Sequence, residues 1–113
     1  MTNEDKKIVA DYMGWKHRFI PLSPEGHAEY HRERHDGFAP YYIVAFNSND
    51  ASLVAAEMQK RGEWYDFYYF IWRLFMASQP FQDRGAEKFV LYLFNADNFF
   101  KAFVEWRKRN EQS

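Results

Sequence analysis

The sequence predicts an α/β (α+β) fold: a three-layer α-β-α sandwich with a small mixed or antiparallel sheet of three to four strands and about three main helices. The central observation is the stretch Glu63–Ser78, EWYDFYYFIWRLFMAS, which holds eight aromatic residues in sixteen positions. Read as a strand, it sends Tyr65, Phe67, Tyr69, Ile71 and Phe75 to one face. Trp64, Tyr68, Phe70, Trp72, Leu74 and Met76 go to the other. A ribbon apolar on both sides needs cover on both sides. Pro40–Phe46 (PYYIVAF) and Glu87–Phe94 share that character. Three amphipathic helical segments are available to supply the outer layers.

Each element follows from local signals. Thr2 or Asn3 can cap a first helix, Glu4 and Asp5 suit its positive end, and Ile8, Val9, Tyr12 and Met13 form its apolar stripe. Gly14 fits the position just past the helix end. His17–Leu22 reads as a short strand stopped by Pro21 and Pro24. Ser23-Pro24-Glu25 then offers a helix start, opening a polar excursion over about 23–39 that is a solvated helix or an irregular loop. Pro40–Phe46 is the next strand. Ser48-Asn49-Asp50 caps a helix from about Asn49 to Arg61, with Leu53, Val54 and Met58 on its buried side. Small Ala51, Ala55 and Ala56 allow close approach there, and Gly62 closes the helix. The aromatic strand, a turn-rich connection from Gln79 to Gly85, and the strand Glu87–Phe94 follow. Asn95 can cap a last helix to about Arg109, its stripe formed by Phe99, Phe100, Phe103, Val104 and Trp106. The last two strands pair antiparallel across their loop.

Composition sets the frame. At 113 residues the chain is one domain, 1–113, and 47% hydrophobic residues are enough for a core. The 21% aromatic share exceeds what a core of this size needs, so some rings are expected at an interface. A net charge of −1 gives no general pull toward nucleic acid or anionic membrane. Without cysteine there are no disulfides, thiolate catalysts or Cys-based zinc sites. No long apolar run points to a signal peptide or a membrane span, so a cytoplasmic protein without membrane contact is expected.

The motifs Met13-Gly14-Trp15 (in DYMGWK), FNSND (Phe46–Asp50) leading into VAAEMQKRG (Val54–Gly62), and AFVEWRKRN (Ala102–Asn110) are scattered over most of the chain. In this arrangement the chain resembles the phage ABA sandwich domain, a family of small phage and prophage proteins. The resemblance implies an α-β-α sandwich, a phage or mobile-element setting, action in the host cell cytoplasm, and no established enzyme activity. Arg18–Ala39 lies outside the resemblance.

Among constellations that carry chemistry, His27, His31 and His35 are spaced four and four. On a helix they would line one face, where neutral imidazoles can share a divalent cation such as Zn²⁺. HAEYH is not the HExxH of metalloproteases, because its glutamate sits two places after the first histidine. The plainer reading is a solvated, histidine-rich segment. Close imidazoles could also form a pH switch. Lys101, Arg107, Lys108 and Arg109, with Lys60 and Arg61, are raw material for phosphate contact, but cations in a last turn are also what the helix dipole favours. No nucleophile elbow or phosphate-cradling glycine loop occurs.

These readings converge on a non-enzymatic, phage- or prophage-type accessory protein that binds a host or phage protein, in an anti-defence role, or that self-associates as a homodimer. Tyr41, Tyr42, Tyr65, Trp72 and Arg73, with Tyr30, are the candidate partner or ligand contacts, because aromatic and Arg side chains are enriched at interfaces. An alternative is a protein that sequesters a small molecule or nucleotide in an aromatic pocket, and a third is a His-rich metal binder. No other cofactor is expected.

Overall fold

Thr2 opens the first helix as the sequence predicts: its hydroxyl accepts the Asp5 amide at 3.1 Å. Helix α1 (Asn3–Met13) ends at Gly14, held at φ 71°, where a left-handed backbone costs a glycine nothing. The computed structural model describes residues 1–20, 27–33, 41–80, 82 and 84–112. They cluster into two compact units, residues 2–45 and residues 46–113 with Met1.

In the first unit α1 is followed by β1 (Lys16–Ile20), β2 (His27–Glu33) and β3 (Tyr41–Ile43). These form one antiparallel sheet in the order β1-β2-β3, with Lys16 opposite His31 and His31 opposite Ile43. The Val44 amide extends the second pairing by donating to the Tyr30 carbonyl at 2.8 Å. Among the described residues of this unit, Val9, Ala10, Tyr12, Tyr30 and Val44 are buried. The polar excursion is therefore corrected in part: its centre is a strand, in which Tyr30 turns inward while Glu29 and His31 share the other side. The proposed helix start Ser23-Pro24-Glu25 lies outside the described residues.

The regular elements of the second unit are all α-helices among its described residues: α2 (Ser48–Lys60), α3 (Trp64–Ser78), α4 (Ala86–Phe94) and α5 (Ala96–Gln112). A reciprocal capping box starts α2. Asn47 Oδ1 accepts the Asp50 amide at 3.1 Å, and Asp50 Oδ2 accepts the Asn47 amide at 3.3 Å. That exchange accounts for a carboxylate exposed to only 2%. At the far end Gly62, at φ 74°, forms a Schellman turn in which the Glu63 amide reaches the Met58 carbonyl at 2.8 Å. Asn95 ends α4 and caps α5, its Oδ1 accepting the Asn98 amide at 3.1 Å.

Two of the expected strands are helices, and the three-layer sandwich is not the architecture. Glu63–Ser78 becomes α3 and Glu87–Phe94 becomes α4, so five helices, not three, are found among the described residues. Nothing sheet-like lies between helical layers in the second unit. The physical reason is period. Phe67, Ile71 and Phe75, spaced four and four, are the buried residues of α3, while Tyr65 and Tyr69 face water. A stretch apolar at nearly every position fits both a two-residue and a 3.6-residue repeat. Length decides between them, because fifteen residues suit a helix and exceed an ordinary strand.

Helix α5 packs against α2, α3 and α4 and forms the core of this unit. The Phe67 ring meets Phe99 at 5.3 Å and Trp106 at 5.7 Å, both nearly edge-on. Beside it, Asp66 Oδ2 accepts the Trp106 indole N–H at 2.9 Å, tying α3 to α5 across forty positions. On the other flank Phe89 of α4 sits among Trp72 at 4.9 Å, Phe75 at 5.3 Å and Tyr68 at 5.5 Å. Phe46, just before α2, holds φ 55°, a left-handed value that costs a non-glycine residue about 1–2 kcal/mol. Its ring lies edge-on against Phe100 at 5.6 Å.

Candidate functional site

The helical unit has more apolar side chain than its core can cover. Helix α4 (AEKFVLYLF) is apolar nearly all round, a composition that implies burial on every side. Phe89 faces inward, yet Leu91 is 68% and Phe94 72% exposed, with Val90 beside them. Positions 87, 90, 91 and 94 share one helical stripe, so these three form a ridge with Glu87 at its end.

Next to the ridge is an open groove of about 400 Å³. One wall is the small-residue side of α2 (Ala51, Ala55, Ala56), the other is Leu93 and Phe94, and Trp64 and Phe99 also line it. The alanines that the sequence marks for close approach thus line an open trough. Among the described residues its polar groups are Ser48, Ser52 and Gln59, and no charged side chain lines it. A second recess, lined by Gln59, Gly62, Trp64 and Tyr65, shares Gln59 and Trp64 with the first. The two join Phe94 at one end to Tyr65, 84% exposed, at the other. Tyr69 continues the surface one turn along α3, with the Arg73 guanidinium 5.7 Å from its ring centre.

The sequence-predicted contact residues divide accordingly. Tyr65 and Arg73 are exposed on α3 beside this surface, whereas Trp72 is committed to packing against Phe89 and Phe75. Tyr41 and Tyr42 belong to β3 by backbone, and their side chains lie outside the described residues. Tyr30 is buried, 5.1 Å from the His17 ring. The sequence does not point to the ridge Val90-Leu91-Phe94 or the alanine wall as a site. A helical reading of Glu87–Phe94 would have exposed the outward stripe.

The histidine segment is a strand, not a helix. His27 and His31 lie at opposite ends of four strand steps, roughly 13 Å apart along the backbone, so spacing by four does not bring them together. His35 lies outside the described residues. His31 Nε2 instead meets Glu29 Oε2 at 3.2 Å. Among the described residues no three His, Asp or Glu side chains are placed to hold a metal ion. The basic residues are partly engaged: Arg61 with Glu57 at 2.9 Å, Arg107 with Glu111 at 3.6 Å, and Arg109 5.0 Å from the Phe70 ring centre.

Two phenols are displaced upward from the ordinary tyrosine value of 10.0, away from acid–base work near neutrality. Burial raises Tyr30, with the Asp11 carboxylate adding to it. Burial also raises Tyr92, and Glu105 reinforces the shift while a hydrogen bond with Ser78 opposes it. A raised value in the folded state stabilises fully below the ordinary one and is lost as pH climbs through the folded one. Denaturant midpoints should therefore fall as pH climbs above about 10, and Tyr30→Phe should shrink that fall. An unchanged fall in the variant would remove Tyr30 from the alkaline transition.

No helix of the described residues is long and apolar enough to cross a membrane. Compared with known proteins, the chain matches no family model, no curated protein and no solved structure.

Proposed function

We propose that the chain is a non-enzymatic protein-binding module that docks a protein partner on the apolar surface formed by α2, α3 and α4. One observation carries the reading: a nine-residue helix, apolar nearly all round, leaves Leu91 and Phe94 about two-thirds bare. An exposed apolar patch of this kind marks an interaction surface, because water-facing Leu and Phe cost free energy until covered. An open trough beside a ridge is also the shape that receives an amphipathic helix. The motif resemblance adds the setting: a phage- or prophage-type accessory protein in the host cell cytoplasm, engaging a host or phage protein, with interference in host defence as the role.

The test is capture from a host lysate by the wild-type chain and by a Leu91→Glu/Phe94→Glu double variant. Both side chains are exposed, so the variant keeps the core. The expected result is a stoichiometric protein retained by the wild type and released by the variant. Equal retention by both would refute this surface as the docking site.

The groove also favours a second reading. About 400 Å³ lies within the range of small-ligand pockets, and its lining of Trp64, Phe94 and Phe99 suits a flat apolar molecule. Without a charged side chain in that lining among the described residues, a nucleotide's phosphates would find no counter-charge there. Native mass spectrometry of the purified chain, showing a small molecule bound in place of a protein, would favour this reading over the first.

A further inference from the structure

We infer that the occupant of this surface is a second copy of the same chain, related by two-fold symmetry, each α4 ridge seated in the other copy's α2–α4 groove. The inference rests on the reading that the surface docks a protein, and it puts a second copy of this chain there in place of a host protein.

Three features of the surface point to self-pairing. The first is area. Tyr65, Tyr68, Tyr69, Val90, Leu91 and Phe94 are exposed to between 40% and 84%. With roughly 150–250 Å² for a fully bared aromatic and less for Val and Leu, they offer on the order of 700 Å². That approaches the ~800 Å² each partner contributes to a stable interface. The α4 ridge alone would fall well short, so the groove and the α3 tyrosines must take part.

The second is shape. A protruding ridge and a recess lie side by side on one molecule, and Phe94 belongs to both. Under a two-fold operation a ridge beside a recess meets a recess beside a ridge, which is the self-complementarity an isologous contact requires. The small side chains of Ala51, Ala55 and Ala56 leave the depth a Leu or Phe from the second copy would fill.

The third is charge. A surface brought against its own copy faces its own charges, so a charged patch repels itself. Here neither recess is lined by a charged residue among the described residues, and the three ridge residues are neutral. Glu87, exposed, sits at the end of the ridge. Ridge and recesses thus bring no like charges together, and among the flanking residues Arg73 lies against the Tyr69 ring.

Sedimentation equilibrium of the purified chain, from about 1 to about 100 µM, tests this. The expected result is a dimer at twice the chain mass. Leu91→Glu (ridge) and Ala56→Trp (groove) should each raise the dissociation constant about tenfold or more, since each strikes a central contact. Both positions are exposed, so both variants keep the fold, which circular dichroism verifies. Mixing the two variants should restore part of the association. The intact ridge of the Ala56→Trp chain can still enter the intact groove of the Leu91→Glu chain. A dimer indifferent to both substitutions, or no restoration on mixing, would overturn the ridge-in-groove pairing.

A wild-type chain that stays at single mass at the highest concentration would overturn the second-copy inference alone. Loss of lysate capture in the Leu91→Glu/Phe94→Glu variant would then retain the docking surface for a different protein. Unchanged capture together with single mass would remove both.

Discussion

Phe67→Ala is expected to lower the stability of the helical unit by about 3–5 kcal/mol, the range for deleting a fully buried ring. Phe67 is 0% exposed and lies where α3 meets α5, touching Phe99, Phe103, Trp106 and Trp64. Truncation removes the transfer free energy of the ring and leaves a cavity walled by stiff aromatics that close on it poorly. The adjacent Asp66–Trp106 hydrogen bond ties the two helices together at their present register. Urea denaturation followed by tryptophan fluorescence measures the change, because Trp64 and Trp106 report on this region. A loss below about 1 kcal/mol would mean that α3 and α5 do not share this core.

The second large effect concerns a residue that faces water. Tyr69→Pro is expected to cost about 3 kcal/mol or more, whereas Tyr69→Ala should stay within about 1 kcal/mol of wild type. Tyr69 is 61% exposed, so little packing is lost in either variant. Alanine is the better helix former and loses only the contact with Arg73. Proline deletes an amide donor inside α3 and drives its ring into the preceding turn. The gap between the two variants is a signature of helical backbone at this position. Equal midpoints in guanidinium would contradict a helix over Trp64–Ser78.

How far the sequence was legible differs from one kind of signal to another. Capping chemistry was readable because it depends on a few residues in sequence. Thr2 and Gly14 bracket α1, Gly62 closes α2, and Asn95 opens α5 as read. The first cap of α2 was off by a residue, since Asn47 and Asp50 share that task. Tertiary placement of aromatics was not readable. In Glu63–Ser78 almost every position is apolar, so the contrast that reveals a period is missing, and the helix shows itself only through which rings are covered. The same saturation hid α4, whose Phe-Val-Leu-Tyr-Leu-Phe run favours a strand until Phe89 is seen among Tyr68, Trp72 and Phe75. In HAEYHRE the signal ran the other way. A polar segment with one buried ring, Tyr30, looked helical by histidine spacing and is a strand. The candidate site is half legible: the sequence points to Tyr65 and Arg73, while the α4 ridge emerges only with Glu87–Phe94 as a helix.

Phe46 carries a consequence for how this chain can drift through mutation. Two demands meet at one codon, and no common residue serves both. Glycine or asparagine would relax the left-handed backbone and abandon the edge-on contact with Phe100. Another bulky ring would preserve that contact and keep the torsional penalty. Divergent descendants of this sequence should thus hold an aromatic here, or lose it only together with a compensating enlargement opposite, at Phe100.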